Sequence, residues 1–223
     1  MNMGGAIRRE GMLLCLVGPS GGGKTTFALQ LLEKDPHGLV KNVSVTTREK
    51  RPAEVEGREY IFVAREEFQR LRDSGQICEW EEVHGNFYGT LSSTVDEAVE
   101  AGKDLILDID IRGAFKHKQR SSQHVVVVFL LPPDAEELVR RIRDRSSTTE
   151  DEIGRRLRTA AHEYELLLDD FSGAHWVDYV VVNRDRELAY RTLEAIICAE
   201  RQRSVRLNRE DLQALCRIEP KGK

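Results

Sequence analysis

The chain has 223 residues, 40% hydrophobic and 32% charged, enough apolar material for one large domain or a core with small insertions, and unlike a disordered acidic chain. A net charge of −4 argues against a general nucleic-acid binder, although seven arginines crowd residues 140–158. Four scattered cysteines (Cys15, Cys78, Cys198, Cys216) form no C-x-x-C pair, which favours reduced thiols in a cytoplasmic protein, and the apolar run near the start is too short to span a membrane and lacks a signal-peptide cleavage site.

The first predicted strand, MLLCLV at residues 12–17, runs straight into GPSGGGKTT, residues 18–26, with a helix predicted over 24–33. Gly18, Gly23, Lys24 and Thr25 fit G-x-x-x-x-G-K-[ST], the phosphate-binding loop. Glycines among Gly18, Pro19, Ser20, Gly21, Gly22 and Gly23 let backbone N–H groups turn inward as an anion nest, and the helix start adds unpaired N–H groups at the positive end of its dipole. Lys24 suits β- and γ-phosphates, the Thr25 hydroxyl suits Mg²⁺, and Thr26 completes the loop. The spacing predicts a nucleoside triphosphate site.

Residues 42–89 break the strand–helix alternation, with short strand-like pieces, a helix near 65–73 and several glycines. Within them, Arg48 and Arg51 with Tyr60 suit bidentate capture of a phosphate monoester, the alternative being solvated loop arginines. CEWEEVHGNFYGT sets Glu79 beside Trp80 with Tyr88 and Thr90 downstream, which reads either as site residues or as an edge hairpin with core aromatics. A helix over 94–101 leads to a strand predicted over 104–110, where Asp108 and Asp110 share one face at the carboxyl end. Two carboxylates facing a phosphate loop call for a cation or a ligand amine.

A helix over 111–118 follows, the run KHKQR (116–120) reading as its solvated cationic end. A strand over 125–131 gives way to Pro132-Pro133-Asp134, with Asp134 as N-cap of a helix over 135–145. Polar residues 143–156 form a second insertion, followed by helices over 150–171 and 186–206 around a strand over 177–182, and a loose tail near 219–223. His84, His117, His162 and His175 lack metal-ligand spacing and read as surface or packing residues. The alternation predicts an α/β fold with a mostly parallel sheet covered on both faces.

GPSGGGKT, SVTTREKRP, EVEGREY, EW, GNFYGT, LDIDIRG, LPP, RRL and VVN occur in one order over about residues 13–203, and together they make the chain resemble the guanylate kinase family. The resemblance implies a P-loop NTPase-type core (1–42, 90–133 and 157–223), a small α+β GMP-binding insertion (43–89) and a lid (134–156). It implies transfer of the ATP γ-phosphoryl group to GMP and dGMP with Mg²⁺, in the cytoplasm, by a monomer or homodimer with no nucleic-acid or membrane partner. By the same resemblance Glu79 accepts from the guanine N1–H and 2-amino group, Ser44 and Thr90 contact the base and its O6, and Asp110 contacts the base. Arg48, Arg51, Tyr60 and Tyr88 would hold the GMP phosphate, and Asp108 would lie near Mg²⁺ and the ribose. Arg145 and Arg156 would close on the ATP phosphates, and Asn183 would contact adenine; Lys24, Arg48, Arg51, Arg145 and Arg156 would stabilise the transferring group. Arg112 in place of Gln, Ser146 after Arg145, and Arg184 in place of an acid depart from the usual pattern and bear on lid dynamics and adenine contacts. Two alternatives stand beside this reading: a non-catalytic phosphopeptide-binding module of the same fold, and a kinase for another phosphate monoester.

Overall fold

In the computed structural model, which describes residues 7–35, 38–83, 85–144 and 149–217, β1 (Leu13–Val17) is buried along its whole length and leads through the glycine loop into α1 (Lys24–Lys34). A short β2 (Leu39–Lys41) precedes β3 (Val45–Thr46), β4 (Ile61–Phe62), α2 (Arg65–Asp73), β5 (Ile77–Val83) and β6 (Asn86–Leu91). The chain returns through α3 (Ser92–Glu100) to β7 (Asp104–Asp108), α4 (Ile111–Arg120), β8 (Val125–Leu131), α5 (Ala135–Arg143) and α6 (Glu150–Asp169). A π-helical turn (Asp170–Ala174) ends α6, and β9 (Tyr179–Val182), α7 (Arg186–Arg201), a 3-10 turn (Ser204–Arg206) and α8 (Arg209–Leu215) follow.

The main sheet has the order β2-β7-β1-β8-β9, and its pairings are parallel. Parallel strands covered on both faces must be apolar at consecutive positions, which is why β1 and β8 read as unbroken runs of Leu and Val. Alternate residues divide between two cores: Leu14, Leu16, Val126 and Val128 pack with Phe27 and Leu193 of α1 and α7. Leu13, Cys15, Val127 and Phe129 pack with Val95, Ala114 and Leu167 of α3, α4 and α6. Because β7 and β8 flank β1 on opposite sides, the loop after β1 opens at the crevice where doubly wound sheets take their ligands.

A second, mixed sheet, β4-β3-β6-β5, is built from residues inside the 42–89 stretch and has its own small core of Val45, Phe68, Ile77 and Phe87. Phe68 and Phe87 stack at 5.3 Å. Near the chain ends, Arg9 forms an antiparallel bridge with Leu207, Glu10 N donates to Arg206 O (2.8 Å), and Arg8 pairs with Asp211 (2.8 Å).

Several predicted boundaries move, each for a local reason. The strand predicted over 104–110 stops at Asp108, because the Asp110 carboxylate accepts from the Arg112 and Gly113 amides (2.8 and 3.1 Å) as the N-cap of α4. The strand predicted from 177 begins at Tyr179, since Asp178 is spent on Val127 N (2.8 Å) and Lys118. Lys118 is therefore not a solvated helix end: its ammonium is largely buried, donating to Val125 O (2.8 Å) and Asp178 (2.7 Å). His117 in the same run is buried, and burial pushes its imidazole down to about 4, keeping it neutral. The long C-terminal helix ends at Arg201, not 206, where buried Arg206 folds back onto Glu200 (2.7 Å). Asp134 caps α5 as predicted, accepting from Glu137 N (2.7 Å), but α5 ends at Arg143 rather than 145. Of the cysteines, Cys198 and Cys216 are exposed, and all four are free thiols.

Candidate nucleotide site

The loop after β1 is shaped by its backbone. Gly18, Gly21 and Gly23 have φ of 125°, 95° and 106°, a region that side chains disfavour. A Cβ on Gly18 would lie 2.4 Å from Leu130 O, and one on Gly23 would lie 2.9 Å from Asn183 Nδ2, so these glycines answer to both conformation and space. α1 starts at Lys24 with Gly23 as N-cap and no side-chain cap, leaving first-turn amides available to an anion. Lys24 Nζ donates to Gly18 O (2.5 Å) across the loop, and buried Asn183 braces it from behind by donating Nδ2 to Gly22 O (3.1 Å). Arg141, not singled out by the sequence, spans the same region: its guanidinium donates to Gly21 O (3.4 Å) and Asn183 O (3.2 Å) while Glu137 holds it at 2.7 Å.

The Thr25 hydroxyl donates to Asp108 Oδ2, joining the loop to the end of β7. A hydroxyl and a carboxylate side by side next to a phosphate nest are hard oxygen donors, the set that Mg²⁺ prefers. Deeper in, buried Glu163 of α6 has an unpartnered Oε2 among the described residues, and burial pushes its carboxyl up to about 7, opposed by Lys24.

The small sheet carries the second set of groups. Arg48 lies over the rings of Tyr60 (5.4 Å) and Phe62 (5.6 Å), and Glu54 grips its guanidinium at 2.7 Å. The other Glu54 oxygen accepts from Arg51 N (2.8 Å), so one carboxylate shapes the whole arginine loop; the Arg51 side chain itself is exposed. Tyr60 and Tyr88 meet edge to face at 5.7 Å. Arg48, Tyr60 and Tyr88 thus gather at one place, with Arg51 on the same loop; the spacing joins only Arg48, Arg51 and Tyr60.

Behind them is a buried polar cluster. Thr90, fully buried, donates to Glu79 Oε1 (2.7 Å), and Asn42 Nδ2 reaches both Thr90 Oγ1 (3.3 Å) and Ser44 Oγ (3.5 Å). Burial pushes the Glu79 carboxyl up to about 7, the Thr90 hydrogen bond opposing it and Asp110 adding to it. A Cβ added to Gly113 would lie 3.2 Å from Glu79 Oε2 and 3.4 Å from Asp110 Oδ2, so the two carboxylates flank one point. Such a pair suits a ligand edge rich in N–H donors. Asn42 and Glu54 escape a sequence reading because a lone Asn or Glu in a polar loop carries no spacing signal. Of the two arginines expected in the lid, Arg156 is held on α6 by Glu152 (2.5 Å), and its buried Nη1 has no partner among the described residues; Arg145 lies outside the described residues, as do Ser146 and His84. His162 packs on Arg112 (2.5 Å), and among the described residues no group of His, Cys, Asp and Glu has the arrangement of a metal cluster.

A phosphate-gripping loop on one sheet and an arginine–tyrosine pocket on another define a P-loop phosphotransferase. Residues 10–200 match the family model described as guanylate kinase. The chain is 44% identical to a guanylate kinase of Chelativorans sp. over 90% of this chain and 88% of that one. It is 43% identical to one of Geobacter metallireducens (90% and 95%). The crystal structure of guanylate kinase from Anaplasma phagocytophilum superposes with a TM-score of 0.68 at 38% identity, covering 96% of this chain and 99% of that one. The chain belongs to the guanylate kinase family.

Proposed function

We propose that the chain transfers the γ-phosphoryl group of ATP to GMP and dGMP, forming ADP and GDP or dGDP. The observation that carries this reading is the buried Glu79–Thr90–Asn42 cluster, with half-buried Ser44 at its edge and Asp110 beside Glu79. Guanine presents donors at N1 and its 2-amino group, which Glu79 and Asp110 accept, and an acceptor at O6, which Ser44 and Thr90 meet. Adenine offers a lone pair at N1 and no 2-amino group, so it would leave a buried carboxylate facing a lone pair.

The phosphate of GMP then rests on Arg48, Arg51, Tyr60 and Tyr88. Its oxygen is the nucleophile and is already ionised near neutral pH, so no general base is needed. Catalysis is alignment plus charge stabilisation of the transferring group by Lys24, Arg48, Arg51, Arg145 and Arg156. The residues Gly18 to Thr26 hold the ATP phosphates. Asn183, which the resemblance places against adenine, spends its Nδ2 on Gly22 O and so braces the phosphate loop itself. Thr25 and Asp108 would hold Mg²⁺, which when bound with ATP offsets phosphate charge.

Residues 43–89 act as the acceptor-binding unit and 134–156 as the lid, on a core of 1–42, 90–133 and 157–223, closing to exclude water as a competing acceptor. Arg48 and Arg156 must then trade part of their hold on Glu54 and Glu152 for phosphate oxygens. The enzyme works in the cytoplasm as a monomer or homodimer, without nucleic-acid or membrane partners; among the described residues no helix is long and apolar enough to cross a membrane. A coupled ADP-release assay over GMP, dGMP, AMP, UMP and ribose phosphates tests the reading. Turnover confined to the two guanine nucleotides is expected. Equal turnover of AMP would overturn the acceptor assignment, and no turnover with any of them would point to a binding module.

A further inference from the structure

We propose that Asn42 is a specificity-determining positioning residue, which makes the base pocket a donor field for O6 by fixing where the Ser44 and Thr90 protons point; this rests on the guanine reading of the site. A hydroxyl alone discriminates poorly between O6 of guanine and the 6-amino group of adenine, because it can donate to one and accept from the other. Something must decide the direction of its proton. Asn42 lies where it can do so: it is 6% exposed, and its amide nitrogen is 3.3 Å from Thr90 Oγ1 and 3.5 Å from Ser44 Oγ.

The orientation of that amide follows from its neighbours. Thr90 has a single proton and spends it on Glu79 Oε1 at 2.7 Å. With Glu79 ionised, the group facing Thr90 from the other side meets only lone pairs, so it must be a donor: Nδ2, not Oδ1. The same Nδ2 has a second N–H, which Ser44 Oγ accepts. Ser44 then has its own proton left for the base. When guanine N–H groups engage Glu79, the Thr90 proton is released toward O6 as well. The arrangement also has a cost. Asn42 Oδ1 is buried with no hydrogen-bond partner among the described residues, a penalty that a residue serving stability alone would not carry.

The test compares wild type with Asn42→Asp and Asn42→Ala by kcat/KM on GMP, IMP and AMP. Asp has nearly the same shape but offers oxygens where the amide offers N–H groups, so both hydroxyls would turn their protons toward it and show lone pairs to the base. The GMP:AMP ratio should fall about ten- to a hundredfold in Asn42→Asp, the size of a mispaired buried hydrogen bond, and less in Asn42→Ala, where the hydroxyls are merely released. IMP shares O6 and N1–H with GMP, so GMP:IMP should stay constant; Glu79→Gln, run alongside, should move GMP:IMP because it disturbs the 2-amino contact. Folding of each variant is checked by thermal melting, and the Ala variant carries the test if Asp disrupts the fold. An unchanged GMP:AMP ratio in a folded variant, with all three nucleotides falling together, would reduce Asn42 to packing and overturn the inference. A wild type that accepts AMP as readily as GMP would instead overturn the site reading on which it stands.

Discussion

On the proposed reading, the glycine loop and the acceptor pocket handle the same chemical group, a phosphate, by opposite means. The loop after β1 is backbone: contiguous residues, positive φ angles and carbonyls braced by Asn183 and Arg141. The acceptor pocket is side chain: Asn42, Arg48, Glu54, Tyr60, Glu79, Tyr88, Thr90 and Asp110 come from separate segments, and its key arginine is oriented by a carboxylate. A backbone site is set once the glycines fold, and depends on one lysine for its charge. A side-chain site depends on each partner, on proton placement and on pH.

The sharpest way to break the comparison is Lys24→Ala. Turnover should fall by at least about a thousandfold, since the loop's only charged group on the transferring phosphoryl is lost, while the melting temperature and equilibrium GMP binding stay near wild type. GMP affinity falling in parallel would mean that the two sites are not separable. Next in size is Arg51→Ala. Losing a charge-assisted phosphate contact should lower kcat/KM for GMP by about a hundredfold and leave KM for ATP nearly unchanged, as steady-state kinetics will show.

Glu54→Gln sharpens the contrast without removing a phosphate ligand. It keeps an acceptor for Arg51 N but weakens the grip on Arg48, so KM for GMP should rise by about tenfold with a smaller change in kcat. Equal losses with GMP and ATP would assign Glu54 to loop folding rather than arginine placement.

The smallest effect is one of pH, and it belongs to the side-chain site alone. In the proposed mechanism guanine donors engage ionised Glu79, whose carboxyl is pushed up to about 7 by burial in the free protein. As pH falls below 7 a proton must first leave, so kcat/KM for GMP should drop toward tenfold per unit, while KM for ATP stays flat. Stability has the opposite sign. A carboxyl raised above its unfolded value of 4.5 is fully tolerated below that value, and its stability is lost as pH rises through 7. Glu79→Gln should therefore raise the melting temperature of the ligand-free protein at pH 8 more than at pH 6. Part of the slope will persist, because Glu163 is pushed up to about 7 as well; His117, held neutral down to about 4, adds nothing above 6.5.

What was legible in the sequence divides along the same line. The loop's glycines and Lys24 are adjacent, so their geometry could be read from spacing, and the all-apolar strands announce burial on both faces. Arg48, Arg51 and Tyr60 are near enough in sequence to be read together. Asn42 meets Thr90 across 48 positions, Lys118 meets Asp178 across 60, and Arg141 reaches Gly21 across 120; no local pattern encodes such pairings. β2, with three residues, and α8, with seven, are too short to show a period. Asp110 was assigned to a strand because an alternating LDID reads as one; only its carboxylate, bonded to two amides ahead of it, shows that the strand has ended.

The pairing of residues 8–10 with 206–211 has a consequence for biosynthesis. Arg8 emerges from the ribosome 203 residues before Asp211, its partner. Its neighbours are secured earlier, Arg9 by Asp104 (2.7 Å) and Glu10 by His124 (2.6 Å), as the middle of the sheet is made. The pairing of Arg8 with Asp211 is thus among the last contacts of this segment to form, and vectorial synthesis leaves Arg8 waiting for it.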